Sequence, residues 1–151
     1  MIRNVLTKTL IRHSDDRGFF MELLRADDEI FGGFGQASLS LSYPGVIKAF
    51  HYHAQQDDIW YFPSGQAQVV LHDLRPDSPT YKQTDVYYMG ELSPYLLFIP
   101  RGVAHGYRVL GHLPATIVYF TNKAYDPADP DEFRLAYDDP DIGFNWQTQF
   151  R

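Results

Sequence analysis

The stretch GVIKAFHYHAQQDDIWYFPSG, residues 45–65, carries the pattern on which the fold prediction rests. His51 and His53 lie two residues apart in it, and a carboxylate follows at Asp58 before a closing glycine turn. Residues two apart on a β-strand point to the same face, so the pattern predicts two histidines that face one enclosed space. Asp57 and Asp58 are adjacent and would face opposite sides, which leaves only one of them for that space.

Short segments with strand character extend in both directions from this stretch, separated by glycine and proline turns. QASLSLSY at 36–43 alternates with a period of two, and IPRGVAH at 99–105 supplies a third histidine, His105. Many short strands at such spacing indicate a sandwich, jelly roll or barrel. The sequence therefore predicts an all-β fold in one domain, residues 1–151, with few or no long helices. Further strands are expected at 2–12, 19–24, 46–53, 59–62, 66–74, 85–89, 95–99, 107–110 and 115–122.

Composition narrows the class of protein. A length of 151 residues favours one domain, and a net charge of −6 argues against a nucleic-acid partner, which needs a cationic surface. The absence of cysteine excludes disulfides, thiolate catalysis and cysteine-based zinc sites. No apolar run approaches the roughly 18 residues of a membrane span, so we expect no membrane partner and a cytoplasmic location.

The spacing of the polar residues resembles the two sequence motifs of the cupin superfamily. G-x5-H-x-H-x4-D-x6-G, starting at Gly45, resembles the first motif with Asp where cupins usually carry Glu. P-x-G-x2-H, ending at His105, resembles the core of the second. The resemblance implies a jelly roll that brings both motifs together on facing strands. One hypothesis is that these residues bind a divalent transition metal. The other is a metal-free pocket, in which the histidines either act as acid–base groups or only line the wall. The metal ligands would be His51, His53, Asp58 and His105.

A more extensive resemblance covers nearly the whole chain. The ordered blocks resemble the dTDP-4-dehydrorhamnose 3,5-epimerase family, a jelly-roll cupin branch that acts on nucleotide-linked 4-keto-6-deoxy sugars. The resemblance implies an isomerase that removes a proton beside the C4 ketone, without a cofactor, in a homodimer with exchanged strands. The blocks are DDRGFFME (15–22), GVIKAFHY (45–52), DLRPDSPTY (73–81), IPRGVAHGY (99–107), YFTNKAYDP (119–127) and DDPDIGFNW (138–146).

The same resemblance implies a role for individual residues. His51 matches the general base, and Tyr119 matches the acid on the opposite face of the sugar ring. The block around Arg17 matches a nucleotide-binding segment, and in a dimer it could serve the site of the other subunit. The implied substrate-binding residues are Arg17, Phe20, Glu22, Gln36, Lys48, His105 and Tyr125.

The sequence departs from the family pattern around the base. Lys48 stands where the family usually has arginine, and His53 replaces a glutamine. Asp58 lies at about the place of a lysine that stabilises the enolate, and a carboxylate there would repel negative charge unless a metal neutralised it. The aspartate that orients the base, expected well beyond Trp146, has no match. The substitutes considered are Asp73, Asp138 and Asp139, whereas the acidic clusters 126–132 and 138–141 are expected to be solvated loops.

Three functions remain open at this point. The first is a nucleotide-sugar epimerase, with His51 as base and Tyr119 as acid, whose activity could be altered or lost. The second is a metal-binding cupin, and the third is a non-catalytic sugar-nucleotide binding protein.

Overall fold

The computed structural model describes residues 1–150, which form twelve β-strands and no helix, so none of them forms a helix that could cross a membrane. The predicted all-β class is confirmed. The strands are β1 (Leu6–Thr9), β2 (His13–Asp15), β3 (Gly18–Phe20), β4 (Gln36–Ser42), β5 (Ile47–Tyr52), β6 (Asp58–Ser64), β7 (Gln66–Asp73), β8 (Thr84–Gly90), β9 (Tyr95–Ile99), β10 (Val103–Leu110), β11 (Ala115–Thr121) and β12 (Phe133–Arg134).

Two antiparallel five-stranded sheets contain most of these strands. Their orders are β1-β9-β6-β11-β4 and β12-β5-β10-β7-β8, and β2 and β3 form a separate hairpin. β7 lies inside its sheet and is apolar over Val69–Leu71, all fully buried, as expected of a strand covered on both faces. β4 lies at a sheet edge and alternates, leaving Leu39 and Leu41 exposed.

The main core fills the space between the two sheets. Trp60 and Phe62 of β6 contact Tyr107 of β10, with ring centroids 5.8 and 5.3 Å apart in edge-to-face geometry. Such aromatic pairs stabilise packing beyond the area they bury. Because Trp60 and Tyr107 also line a cavity, this core forms one of its walls.

Gly106 allows β10 to approach β5 closely. A Cβ atom at this position would lie 2.3 Å from the Cβ of Ala49, so no other residue fits without a backbone shift. The register between the two strands shifts at this point, and His105 is paired with His51. A glycine inside a strand often marks such an irregularity or close approach. The local packing thus places the histidines of the two motifs side by side.

Two predicted strands are shorter in the structure. Of 2–12 only β1 is extended and paired, and of 19–24 only the first residues belong to β3. Met21, Leu23 and Leu24 instead pack against a small second core next to Tyr61 without joining a sheet. An apolar run indicates that its residues are buried, but buried residues need not belong to a strand that is paired in a sheet.

Candidate active site

A cavity of about 540 Å3 opens between the two sheets, a size typical of small-molecule sites. One wall comes from β4, β6 and β11, the other comes from β5 and β10, and the segment 123–132 borders it. The residues that line it include Gln36, Lys48, His51, His53, Asp58, Trp60, His105, Tyr119, Lys123, Tyr125, Asp131 and Glu132.

His51 is held by a carboxylate that the sequence analysis did not identify. Its Nδ1 lies 2.9 Å from Oε1 of Glu132, just before β12, which pairs with β5. Burial tends to raise the pKa of Glu132, but hydrogen bonds from Arg134 and His51 outweigh it and hold that pKa below its usual value. An ionised carboxylate only accepts, so Nδ1 carries a proton, and the neutral form of His51 has its lone pair on Nε2. This is the tautomer that a general base requires.

The substitutes considered from sequence were wrong. Asp73 is fully buried at the end of β7, where its carboxylate binds Arg75, Ser78 and Thr80 instead of His51. Asp138 and Asp139 line no part of the cavity. The expectation that 126–132 is only a solvated loop was also wrong, because Glu132 contacts His51 at the cavity. No local pattern reveals this contact, since the two residues lie 81 positions apart.

Asp131 is a second cavity-lining residue of that segment that sequence reasoning missed. Its carboxylate accepts backbone N–H bonds from Ala54, Gln55 and Gln56 at 2.7–2.9 Å, and its carbonyl oxygen faces Nδ1 of His53. These contacts lower the pKa of Asp131 despite its partial burial. The segment 123–132 therefore fixes the loop that connects β5 to β6.

The three residues His53, Asp58 and His105 converge at the cavity. His53 Nε2 lies 3.7 Å from one oxygen of Asp58, and His105 Nε2 lies 3.9 Å from the other. Burial lowers the pKa of His105 well below its ordinary value, and the nearby Asp58 carboxylate offsets this only in part. Of the four ligands in the metal hypothesis, these three have ligand atoms within 4.8 Å of one another; His51 is outside the group.

Asp57 faces away from Asp58, as the alternation predicted. It binds Arg101 at 2.7 Å and Asn122 at 3.0 Å. Burial works to raise its pKa, but the hydrogen bonds from Arg101 and Asn122 outweigh burial and lower it. Asp58 alone of the pair is available to the cavity.

The two tyrosines and the two cavity lysines are spread around the cavity: Tyr119 is on β11, Lys48 is on β5 with His51, and Lys123 and Tyr125 lie in the bordering segment. Tyr119 of β11 faces the cavity from the sheet opposite His51. Lys48 donates to Ser40 at 3.0 Å, and Lys123, which the sequence analysis did not single out, donates to Gln55 at 2.7 Å. Gln36 accepts a hydrogen bond from the backbone N–H of Tyr125 at 3.0 Å, which positions the start of the bordering segment.

The residues expected to bind the nucleotide lie elsewhere in this chain. Arg17, at the turn between β2 and β3, binds Asp15, and that contact raises its pKa. Phe20 is 65% exposed, and Glu22 pairs with Arg25 at 3.0 Å. None of the three lines the cavity.

Comparison with known proteins identifies the class of protein. The family model for dTDP-4-dehydrorhamnose 3,5-epimerase matches residues 1–151, and the chain belongs to this family of dTDP-sugar epimerases and isomerases. It is 65% identical over 151 residues to the spore coat polysaccharide biosynthesis protein SpsL of Bacillus subtilis, covering 100% of both chains.

Solved structures agree with the family assignment. A dTDP sugar isomerase from Desulfovibrio desulfuricans superposes with a TM-score of 0.89 at 27% identity, over 96% of this chain and 92% of that one. A dTDP-6-deoxy-D-glucose-3,5-epimerase from Legionella pneumophila, in complex with dTDP-4-keto-L-rhamnose, gives a TM-score of 0.84 at 30% identity, over 94% and 78%. The predicted cupin-type jelly roll and the epimerase class are confirmed.

Proposed function

We propose that the protein epimerises a dTDP-4-keto-6-deoxy sugar, with His51 as the general base and Tyr119 as the general acid. One observation carries the proposal: His51 and Tyr119 line the same cavity from opposite sheets, and Glu132 fixes the tautomer of His51. Inversion at a carbon requires a proton to leave one face and return to the other, so groups on opposite walls suit this reaction.

The chemistry follows from these positions. Nε2 of His51 takes the proton from the carbon beside the C4 ketone, and the electron pair of that C–H bond forms the enolate. Histidine suits this step because its ordinary pKa is near neutrality. Glu132 balances the charge of the imidazolium, and Tyr119 returns a proton from the other wall. Only protons move, so the reaction uses no redox cofactor.

The substrate is held by groups from the cavity and from a second subunit. Lys48 and Lys123 supply positive charge for the diphosphate, with Lys48 acting as a point charge where an arginine would bind in bidentate fashion. Arg17, Phe20 and Glu22, which lie outside the cavity of their own chain, contribute to the nucleotide site of the partner in a homodimer. Gln36, His105 and Tyr125 complete the sugar-binding surface.

The biological setting is inferred from the relatives. The Legionella enzyme binds a dTDP-linked 4-keto sugar, and SpsL carries a name from spore coat polysaccharide biosynthesis. We assign residues 1–151, as one domain, to the biosynthesis of a deoxysugar for a polysaccharide. A cytoplasmic location remains a prediction.

Turnover on a dTDP-4-keto-6-deoxy-hexose tests the proposal. We expect the product to be epimerised at C3, C5 or both, as read by NMR after reduction of the ketone. His51→Ala should lower the rate at least about 1,000-fold because it removes the proposed general base. His112→Ala, at an exposed position outside the cavity, is the matched control and should retain the wild-type rate. Wild-type protein without turnover would favour the non-catalytic binding function instead.

A further inference from the structure

Three hydrogen-bond acceptors meet at the cavity without a donor between them. They are Nε2 of His53, Nε2 of His105 and the carboxylate of Asp58, and the ligand atoms all lie within 4.8 Å of one another. The separations of 3.7 and 3.9 Å from the carboxylate oxygens exceed hydrogen-bonding distance. Asp58 and His105 are only 3% and 4% exposed, so water screens the negative charge of the Asp58 carboxylate poorly.

The hydrogen bonds around the two rings fix which nitrogen is the acceptor. Nδ1 of His53 faces the carbonyl oxygen of Asp131, and Nδ1 of His105 faces that of Val103 at 3.0 Å. A carbonyl can only accept, so each Nδ1 carries a proton, and in the neutral form each ring presents the lone pair of Nε2 to Asp58. Within residues 1–150 neither Nε2 has a hydrogen-bond partner.

Hydrogen bonds also fix the orientation of the Asp58 carboxylate. Its Oδ1 accepts from Gln56 at 2.8 Å, and its Oδ2 accepts from the indole N–H of Trp60 at 3.1 Å. Ligands oriented by hydrogen bonds from a surrounding shell are characteristic of metal centres. The carboxylate is therefore positioned with its free lone pairs toward the two imidazoles.

We propose that His53, Asp58 and His105 bind one divalent first-row transition cation. Two imidazoles and one carboxylate suit zinc, iron, manganese or nickel and leave coordination positions open on the cavity side. Ligand atoms roughly 2.1 Å from a tetrahedral ion lie about 3.4 Å apart, so the two histidine–carboxylate separations need to shorten by about 0.3–0.5 Å and the widest separation in the group by up to about 1.4 Å. His51 is not a ligand, because its Nδ1 is bound to Glu132 and its Nε2 serves as the base.

The role of the cation rests on the proposed function. When His51 removes the proton beside the ketone, the electron pair moves to form a carbon–carbon double bond, and negative charge develops on the former carbonyl oxygen. Asp58 alone would oppose that charge. A cation held between Asp58 and His105 would supply positive charge near His51, since His105 pairs with His51 across β5 and β10.

Metal uptake without substrate tests the site. The protein, purified without an affinity tag and treated with a chelator, is titrated with Co2+ and followed by visible absorption and calorimetry. We expect one equivalent to bind. His53→Gln and Asp58→Asn should weaken binding at least about 100-fold, whereas His51→Ala and His112→Ala should bind as the wild type does. Co2+ should raise the melting temperature of the wild type and leave that of His53→Gln unchanged.

The results of these experiments distinguish a failure of the metal site from a failure of the proposed epimerase activity. No uptake by the wild type, or equal uptake by wild type, His53→Gln and Asp58→Asn, overturns the metal site, and the epimerase proposal would stand. His53→Gln serves if Asp58→Asn fails to fold, because His53 is at the cavity surface and glutamine is close in volume. One equivalent of Co2+ bound by a protein that never exchanges a substrate proton would support the site and sink the proposed function.

Discussion

His51 can act as a base only if Nε2 keeps its lone pair, and at the scale of single residues Glu132 is the group that ensures this. Glu132→Gln replaces a pure acceptor with an amide that can also donate to Nδ1, which would favour the unproductive tautomer. We expect kcat to fall roughly 10- to 1,000-fold with little change in KM. Steady-state kinetics with Glu29→Gln, an exposed carboxylate outside the cavity, provides the comparison. A Glu132→Gln enzyme with the kcat of Glu29→Gln would show that another group orients the base.

Prediction from sequence was least complete for individual residues of the site. His51, His53, Asp58 and His105 were found because motif spacing and strand alternation are local signals. Glu132 was not, because its contact with His51 depends on a two-residue strand that pairs across 81 positions of the chain. Nothing in its neighbours distinguishes Glu132 from an acidic residue in a solvated loop.

At the scale of elements, the end of β7 depends on the charge of Asp73. Burial works to raise the pKa of Asp73, but hydrogen bonds from Arg75, Thr80 and Ser78 outweigh burial and hold it well below its usual value. A depressed folded pKa means that ionised Asp73 stabilises the fold above the unfolded value of about 3.9. This contribution is lost as the pH falls below that value and through the folded pKa.

Asp73→Asn should therefore lower the free energy of unfolding by roughly 2–4 kcal/mol at pH 7, because it leaves Arg75 without its ionic partner. The variant should also lose less stability than the wild type between about pH 4 and pH 2. Urea denaturation at a series of pH values measures both effects. Asp77→Asn, exposed in the same loop, should behave as the wild type. Equal pH slopes for the two variants would contradict the assignment.

Most elements were predictable because turns mark their ends. β9 was predicted with its observed bounds, since Pro94 and Pro100 flank it. The run at 19–24 was misassigned because apolar residues such as Leu24 can be buried against a small core without a strand partner. Pairing is decided by contacts distant in sequence, which explains why the end of the chain was the least predictable part.

At the scale of the whole molecule, one chain does not bring all the expected substrate groups to one place. Arg17 lies outside the cavity, and Phe19, Phe20, Leu39 and Leu41, on β3 and on the edge strand β4, are all more than half exposed, as apolar side chains at an interface between subunits would be. In a two-fold dimer the same surface of both subunits would meet. We therefore expect Arg17 of one subunit to complete the site that contains His51 of the other.

Mixed dimers of two inactive variants test this arrangement. Arg17→Ala and His51→Ala should each be nearly inactive alone. If the site is shared, random exchange of subunits makes half of the dimers mixed, each with one complete site, so about a quarter of the wild-type activity should return. Size-exclusion chromatography with light scattering and mass spectrometry verify dimers and exchange. If no activity returns after verified exchange, either Arg17 and His51 serve the same subunit's site or Arg17 is not part of the site.

The proposed reaction begins when His51 removes a proton beside the ketone of a nucleotide-linked sugar. Incorporation of solvent deuterium tests it most directly, because exchange is detected even where the net epimerisation is unfavourable. In D2O, the wild-type protein should introduce deuterium at C3, C5 or both of a dTDP-4-keto-6-deoxy-hexose, as followed by proton NMR, and His51→Ala should not. Exchange at neither carbon, with wild type and His51→Ala indistinguishable from buffer, would show that His51 is not the base for this class of substrate.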